Sequence, residues 1–261
     1  MKLEILVSTM RRNNQALPDQ MNLQTDALIV NQCDRFEYAE QPREGGLVRW
    51  YSLPERGVGL SRNTALMRAR GEIVLFADDD VVYFDDYEKT VLAAFEAHPE
   101  AGVITFNFAS QNPDRPEYMD ERDHRLHWYN CLRYGAFRIA ARREVLLNHN
   151  ITYSLLFGGG AKYQAGEDNL FLTQCLQSGI VCRASAAQIG TVKQEESTWF
   201  KGFNERYYED RGSLFAAMYG PRAKLMSLLM ELKSARRGGE VPLSRRIKLA
   251  RRGIRAYRSV G

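Results

Sequence analysis

GEIVLFADDDVVY, residues 71–83, runs four strand-forming residues, Ile73, Val74, Leu75 and Phe76, straight into three aspartates. The β-branched and aromatic character of that run, with its short length, predicts a strand buried on both faces. Asp78, Asp79 and Asp80 then stand at its carboxyl end, which is where open α/β sheets bind ligands. Clustered carboxylates repel one another unless a cation or a hydrogen-bonding ligand compensates them, and a hard divalent ion shared with phosphate oxygens would do so. An acidic triplet can equally be a solvated turn. The surrounding sequence has to decide between the two.

Outward from that stretch, residues 3–7, 27–30 and 47–51 read as further buried strands. Residues 55–72, ERGVGLSRNTALMRARGE, read as a loop, a helix and a stop: Ser61 caps, Ala65, Leu66 and Ala69 face inward, and Gly71 ends the helix. After the aspartates, Asp85 or Asp86 can cap a helix carrying Tyr87, Val91, Leu92 and Phe95, closed by Pro99, and residues 103–108 return as a strand. This alternation predicts an α/β fold, a mostly parallel sheet with helices on both faces. Residues 110–130 read as a long surface excursion, 137–140 as a strand and 142–147 as a short helix. YSLLFGGGAKYQAGEDNLFLTQCLQSG, residues 153–179, supplies a glycine-rich bend and a helix from about 168 to 178, ended by Gly179.

The chain's 261 residues suffice for one large domain with an appendage. Its longest apolar runs, IVLFA and YSLLF, fall well short of the roughly 20 residues that cross a bilayer. MKLEILVSTMRR reads as an opening strand and not as a signal peptide, which makes the expected location cytosolic. Cys33, Cys131, Cys175 and Cys182 form no C-x-x-C pair and read as reduced core residues, and the four histidines stand at no metal-site spacing.

Charge is distributed unevenly. Residues 221–261 hold twelve Lys and Arg against two Glu, so they carry +10 while residues 1–220 carry −6. A strongly basic tail meets nucleic acid or an anionic lipid surface. Leu243, Ile247, Ala250, Ile254 and Tyr257 recur at spacings of four and three with basic residues between them, a basic amphipathic helix, so nucleic acid is not the expected partner. Two readings stand side by side. One attaches the tail to the inner face of the plasma membrane; the other packs it on the body as a helical hairpin with a solvated basic face, and Gly253 weakens the first.

With ILVST near the start, GLSRNTALMRARGEIVLFADDD in the middle and FGGGAKYQAGEDNLFL later, residues 1–215 resemble family 2 glycosyltransferases of the GT-A, Rossmann-like fold, closest to bacterial enzymes that build capsule, exopolysaccharide or lipopolysaccharide sugars. The resemblance divides the chain into a GT-A domain over 1–220 and a basic helical tail over 221–261. It makes Asp78-x-Asp80 the family's D-x-D motif, with Asp78 turned to the donor ribose and Asp80 to a Mn²⁺ or Mg²⁺ ion, for which Asp78 is the second candidate ligand. Asp168 falls on the Asp of the family's E-D motif, the general base, with Glu167 beside it to orient acceptor or loop. Thr9, Asn31, Arg62 and Asn63 are the further donor-binding candidates. Gly159, Gly160 and Trp199 are the acceptor-binding candidates, Trp199 within residues 194–212, a segment that fits a loop closing over the donor.

Each piece also has a physical reason. Cleaving a sugar–phosphate bond builds charge on the diphosphate, which a cation on Asp80 would absorb. Arg62 and Asn63 would offer a guanidinium and an amide near a helix N-terminus, unless Arg62 pairs with the aspartates. Inverting transfer needs a carboxylate to take the acceptor's proton, although Asp168 could instead only cap its helix. Gly158, Gly159 and Gly160 permit close approach of a sugar.

The implied partners are a nucleotide-sugar, with a UDP-sugar first, and a saccharide or lipid-linked saccharide acceptor. Asn31-Gln32 departs from the acidic residues by which many relatives read the base, and no histidine follows His149 to complete the metal site. The alternatives are a nucleotidyltransferase, against which VSTMRRNNQ lacks a phosphate-binding glycine, and a non-catalytic nucleotide-sugar or carbohydrate-binding module.

Overall fold

Residues 73–78 form the strand that their composition predicts, buried from Ile73 through Ala77. The computed structural model describes residues 1–12, 16–194, 202–235 and 241–259. In chain order its elements are β1 (Leu3–Met10), α1 (Leu17–Gln20), β2 (Asp26–Gln32), β3 (Glu37–Arg43), β4 (Gly46–Leu53), α2 (Val58–Arg68), β5 (Ile73–Asp78), β6 (Val81–Tyr83), α3 (Tyr87–Ala97) and β7 (Val103–Ser110). There follow β8 (His124–Arg125), β9 (Ile139–Arg142), α4 (Arg143–Asn148), α5 (Glu167–Gln177), β10 (Cys182–Val192), α6 (Glu205–Tyr219), α7 (Ala223–Ala235) and α8 (Leu243–Arg258).

One sheet takes the order β3-β4-β2-β1-β5-β9-β7-β10-β6, with β8 also on β10. β4, β2, β1 and β5 are mutually parallel, so their carboxyl ends share one edge. β9 lies antiparallel between β5 and β7, and β7 and β10 form a second parallel pair. Alternate residues feed two cores. Leu3, Ile5, Val7, Ile73 and Leu75 pack with Leu17 of α1 and Tyr87, Val91 and Phe95 of α3. Leu6, Leu28, Val74 and Phe76 pack on the other face with Ala65 and Leu66 of α2 and Phe171, Leu172 and Cys175 of α5. Helices on both faces explain why the central strands read as continuous apolar runs. The four cysteines are free and buried.

Several local expectations need correction. α2 starts at Val58 with Gly57 before it, four residues earlier than a Ser61 cap allows. Ser61 is buried inside the helix, its hydroxyl bonded to that of Ser8 at 3.0 Å. β3 was hidden by its polar composition, EYAEQPR; it is an antiparallel edge strand, where one face meets water and Pro42 is tolerated. Residues 136–138, the front of the run expected as a strand, make a 3₁₀ turn before β9 begins. The 110–130 excursion is pinned and not merely superficial: Asp120 is buried, accepts from the Tyr134 hydroxyl at 3.1 Å and faces the fully buried Arg138 at 3.6 Å.

The tail packs on the body. α8 lies along α6 with Leu249, Ala250, Gly253 and Ile254 buried. Gly253 and Gly212 are the points of closest approach, since a Cβ on either would collide with the Glu209 or Ala250 carbonyl oxygen. Arg245 pairs with Glu205 at 2.8 Å and Arg252 pairs with Glu209. Tyr257 reaches Phe157 and Tyr163 of the glycine-rich bend. The apolar stripe of α8 therefore faces protein and not lipid. Among the described residues no helix is long and apolar enough to cross a membrane.

Candidate active site

At the carboxyl edge of the parallel strands, Arg62 gathers residues from three parts of the chain. It rises from the middle of α2 and is 3% exposed. One guanidinium nitrogen donates to Asp78 at 2.9 Å; the other donates to Glu167 at 3.0 Å and Asp168 at 2.9 Å. Below it lies the Tyr153 ring, 5.1 Å from the guanidinium carbon and stacked on Phe171. Burial opposes the charge on Arg62, but Asp78, Asp168 and Glu167 override it and keep the guanidinium protonated. Planar, multiple donation to carboxylates is what arginine does and lysine cannot.

Three carboxylates around one cation leave the cluster negative. The Asp168 carboxyl is pushed up to about 8, by burial first and Glu167 second, with Arg62 pulling the other way. The Ala136 N–H, in the 3₁₀ turn before β9, also holds it. A carboxylate whose proton affinity lies near the working pH is suited to general-base work. Asp168 is in the first turn of α5, after Gly166 in the left-handed conformation at φ 111°. Glu167 is tucked beneath Gly158, whose φ of 102° and lack of a Cβ leave room for its carboxylate. Glu167 thus orients the bend.

Beside this cluster the other two aspartates differ. Asp79 accepts from the Thr9 hydroxyl at 2.5 Å and from Arg12 at 3.0 Å, which fixes the turn to the end of β1. Asp80 pairs with no cation among the described residues. Its carboxyl is pushed up to about 6, by burial first, then by Asp78 and Asp79, against a hydrogen bond from the Gln194 backbone. An uncompensated carboxylate of this kind fits a divalent cation. No three His, Cys, Asp or Glu side chains gather into a metal-binding group among the described residues. The side chains that could hold a divalent ion are Asp80 and, beside it, Asp78, and Mg²⁺ is a cation that one or two carboxylates can hold together with phosphate and water.

Several candidates have partners within the protein. Asn63 clasps the Tyr153 backbone, donating to its carbonyl at 2.9 Å and accepting from its N–H at 2.7 Å. It and Arg62 lie well inside α2, so no free helix N-terminus presents them; the Val58 N–H there is taken by the Gly159 carbonyl at 2.9 Å. Thr9 is spent on Asp79. Asn31 is buried and commits its amide to both backbone groups of Arg12, at 2.8 and 3.0 Å, and to Ser52. These contacts hold loops against the site.

Next to Asp168 a cavity of about 1230 Å³ opens toward the tail helices. Glu167, Asp168 and Gly159 line its inner end, Tyr129, Arg133 and Tyr134 one wall, and Phe203, Tyr207, Arg211 and Met230 the other. Gly160 sits in the adjoining turn at φ 81° and is not part of the lining. Trp199 lies outside the described residues. Tyr129 is an aromatic that the sequence offers for sugar recognition, and Phe203, Tyr207 and Arg211 fall within the 194–212 segment expected to close, whereas the sequence does not single out Arg133, Tyr134 and Met230, because their place against Asp168 depends on tertiary packing.

Residues 28–156 match the family model described as glycosyl transferase family 2. Among solved structures, the chain is similar to S. aureus TarS 1–349 in complex with UDP-GlcNAc, with a TM-score of 0.65 at 15% identity over 100% of this chain and 92% of that one. The complex of the same protein with UDP gives 0.64 at 16% identity over the same shares. The mannosyltransferase PcManGT from Pyrobaculum calidifontis, in complex with GDP-Man and Mn²⁺, gives 0.51 at 15% identity over 100% and 76%. At these identities the likeness is one of fold, and the fold is GT-A. No curated protein matches the chain significantly.

Proposed function

We propose that the chain, whose residues 28–156 match the glycosyl transferase family 2 model, is a metal-dependent, inverting glycosyltransferase. On this reading it moves a hexose or N-acetylhexosamine from a nucleotide-sugar to a hydroxyl of a saccharide or lipid-linked saccharide acceptor, on the cytosolic side of the membrane in bacterial surface polysaccharide synthesis. The observation that carries it is the Arg62 bridge, which brings Asp78 of the aspartate turn and Asp168 of α5 to one guanidinium. A UDP-sugar is the first candidate donor, by analogy with TarS, whose structure holds UDP-GlcNAc.

The residues divide the work. Asp168 takes the proton of the acceptor hydroxyl as its oxygen attacks the anomeric carbon from the face opposite the leaving diphosphate. Arg62 and the Ala136 N–H fix the direction of that carboxylate. Asp80 would hold the Mg²⁺ or Mn²⁺, which supplies charge neutralisation for the diphosphate. Asp79, through Thr9 and Arg12, keeps the turn rigid. The cavity beyond Asp168, with its aromatic walls, accommodates the acceptor.

Thermal shift against a panel of nucleotide-sugars, with and without Mn²⁺, tests this directly. One donor class is expected to stabilise the protein with Mn²⁺ present, and Asp80→Ala is expected to lose the Mn²⁺-dependent part. No response to any nucleotide-sugar, or a full Mn²⁺ response in Asp80→Ala, would overturn the assignment. A non-catalytic binding module would bind the donor and leave it intact in the presence of acceptors.

A further inference from the structure

The tail helices bury most of their apolar surface, with one exception. On α7 the inward side is Ala223, Ser227 and Glu231, all buried, whereas Leu225, Leu229 and Leu232 are 58%, 52% and 49% exposed. These three stand at i, i+4 and i+7 and form a single stripe. At about 100° per residue, Lys224 and Lys233 fall on opposite flanks of that stripe, and both are exposed. Glu231, the one acidic residue of α7, is fully buried. Neighbouring α8 contains no acidic residue and exposes Lys248, Arg251 and Arg255.

We infer that the face of α7 formed by Leu225, Leu229 and Leu232 docks on an anionic lipid surface. The leucines enter the acyl boundary, and Lys224 and Lys233 lay their stems along it and reach the headgroups. The occupant follows from charge. A second copy on the same face would bring two segments of +10 together, with no exposed acid on α7 or α8 to meet them. Anionic headgroups match that charge and the stripe together. Met230 and Ser234 on the inner side of α7, and Lys233 on its flank, also line the cavity that Asp168 lines. Docking therefore sets the outer end of that cavity at the headgroups, and, resting on the transferase reading, the acceptor class is a lipid-linked molecule.

Flotation of the full chain with vesicles of phosphatidylcholine, alone or with about one-quarter phosphatidylglycerol, tests the docking. Binding is expected only to the anionic vesicles. The triple variant Leu225→Gln, Leu229→Gln, Leu232→Gln is expected to lose binding roughly tenfold or more with unchanged thermal unfolding, because the replaced side chains are half exposed. Lys224→Glu with Lys233→Glu is expected to lose binding with the leucines in place. Vesicle binding that survives the triple substitution, no binding by the parent chain, or a dimer in ultracentrifugation that the triple variant dissolves would overturn it. None of these readouts uses glycosyl transfer, so the transferase reading stands or falls separately.

Discussion

One guanidinium shared by three carboxylates leaves Asp168 in the position of a base that is reluctant to ionise. Burial and Glu167 push its carboxyl up to about 8, and burial with Asp78 and Asp79 pushes that of Asp80 up to about 6, from about 4 in an unfolded chain. At these two groups the folded state binds more protons than the unfolded one between those values, so their contribution to the stability of the ligand-free protein falls as pH rises from about 4 to about 8. Transfer runs the other way, since only unprotonated Asp168 can accept the acceptor's proton, and the rate is expected to climb through the same range. Urea unfolding at several pH values checks the first trend. Asp168→Asn is expected to flatten it and to raise stability at pH 8. A slope unaffected by the substitution would show that Asp168 does not carry the shift. At this scale the D-x-D spacing marks Asp78 and Asp80 as candidates and the resemblance to the family's E-D motif marks Asp168, and the structure brings Asp78 and Asp168 to one guanidinium. The contacts of Thr9, Asn31 and Asn63 are not legible in sequence, because each is defined by partners between 19 and 90 residues away, namely Asp79, the Arg12 backbone and the Tyr153 backbone.

The elements that carry the site are those with strong local patterns. β1, β2, β4 and β5 announce themselves through apolar runs, and the side chains at their carboxyl ends are placed by the parallel register. β3 escapes notice because a half-solvated edge strand is polar, and β10 because its middle, SAAQ, is interrupted by register shifts against β7. The tail shows the limit of periodicity. The stripe on α8 marks an amphipathic helix without saying whether protein or lipid covers it, and the cover is α6. Gly253 sets that contact, because nothing larger fits against the Glu209 carbonyl. Gly253→Leu is expected to separate the helices and cost about 1–3 kcal/mol of stability, measured by urea unfolding. It should also weaken acceptor binding, because α6 supplies Tyr207 and Arg211 to the cavity wall. An unchanged midpoint would mean that α8 contributes little to the fold.

For the whole molecule, function depends on joining two halves far apart in sequence. The aspartate turn ends the first parallel unit, and Asp168 arrives 106 residues after Arg62 on a helix from the second. The long stretch between them contributes the Asp120–Arg138 anchor, the Ala136 N–H on Asp168 and the glycine bend over Glu167. The aspartate turn and the Asp168 carboxylate thus share one guanidinium, with a cavity leading away from Asp168 toward the tail, and the proposed function makes the first the donor side and the second the acceptor side. Single-turnover transfer by Asp168→Asn, with donor affinity measured in parallel, tests this division most directly. Donor affinity is expected to stay within about twofold while the rate falls by roughly two to four orders of magnitude. A variant that keeps its rate, or that loses donor affinity in step with it, would contradict the assignment of Asp168 as the base on the acceptor side.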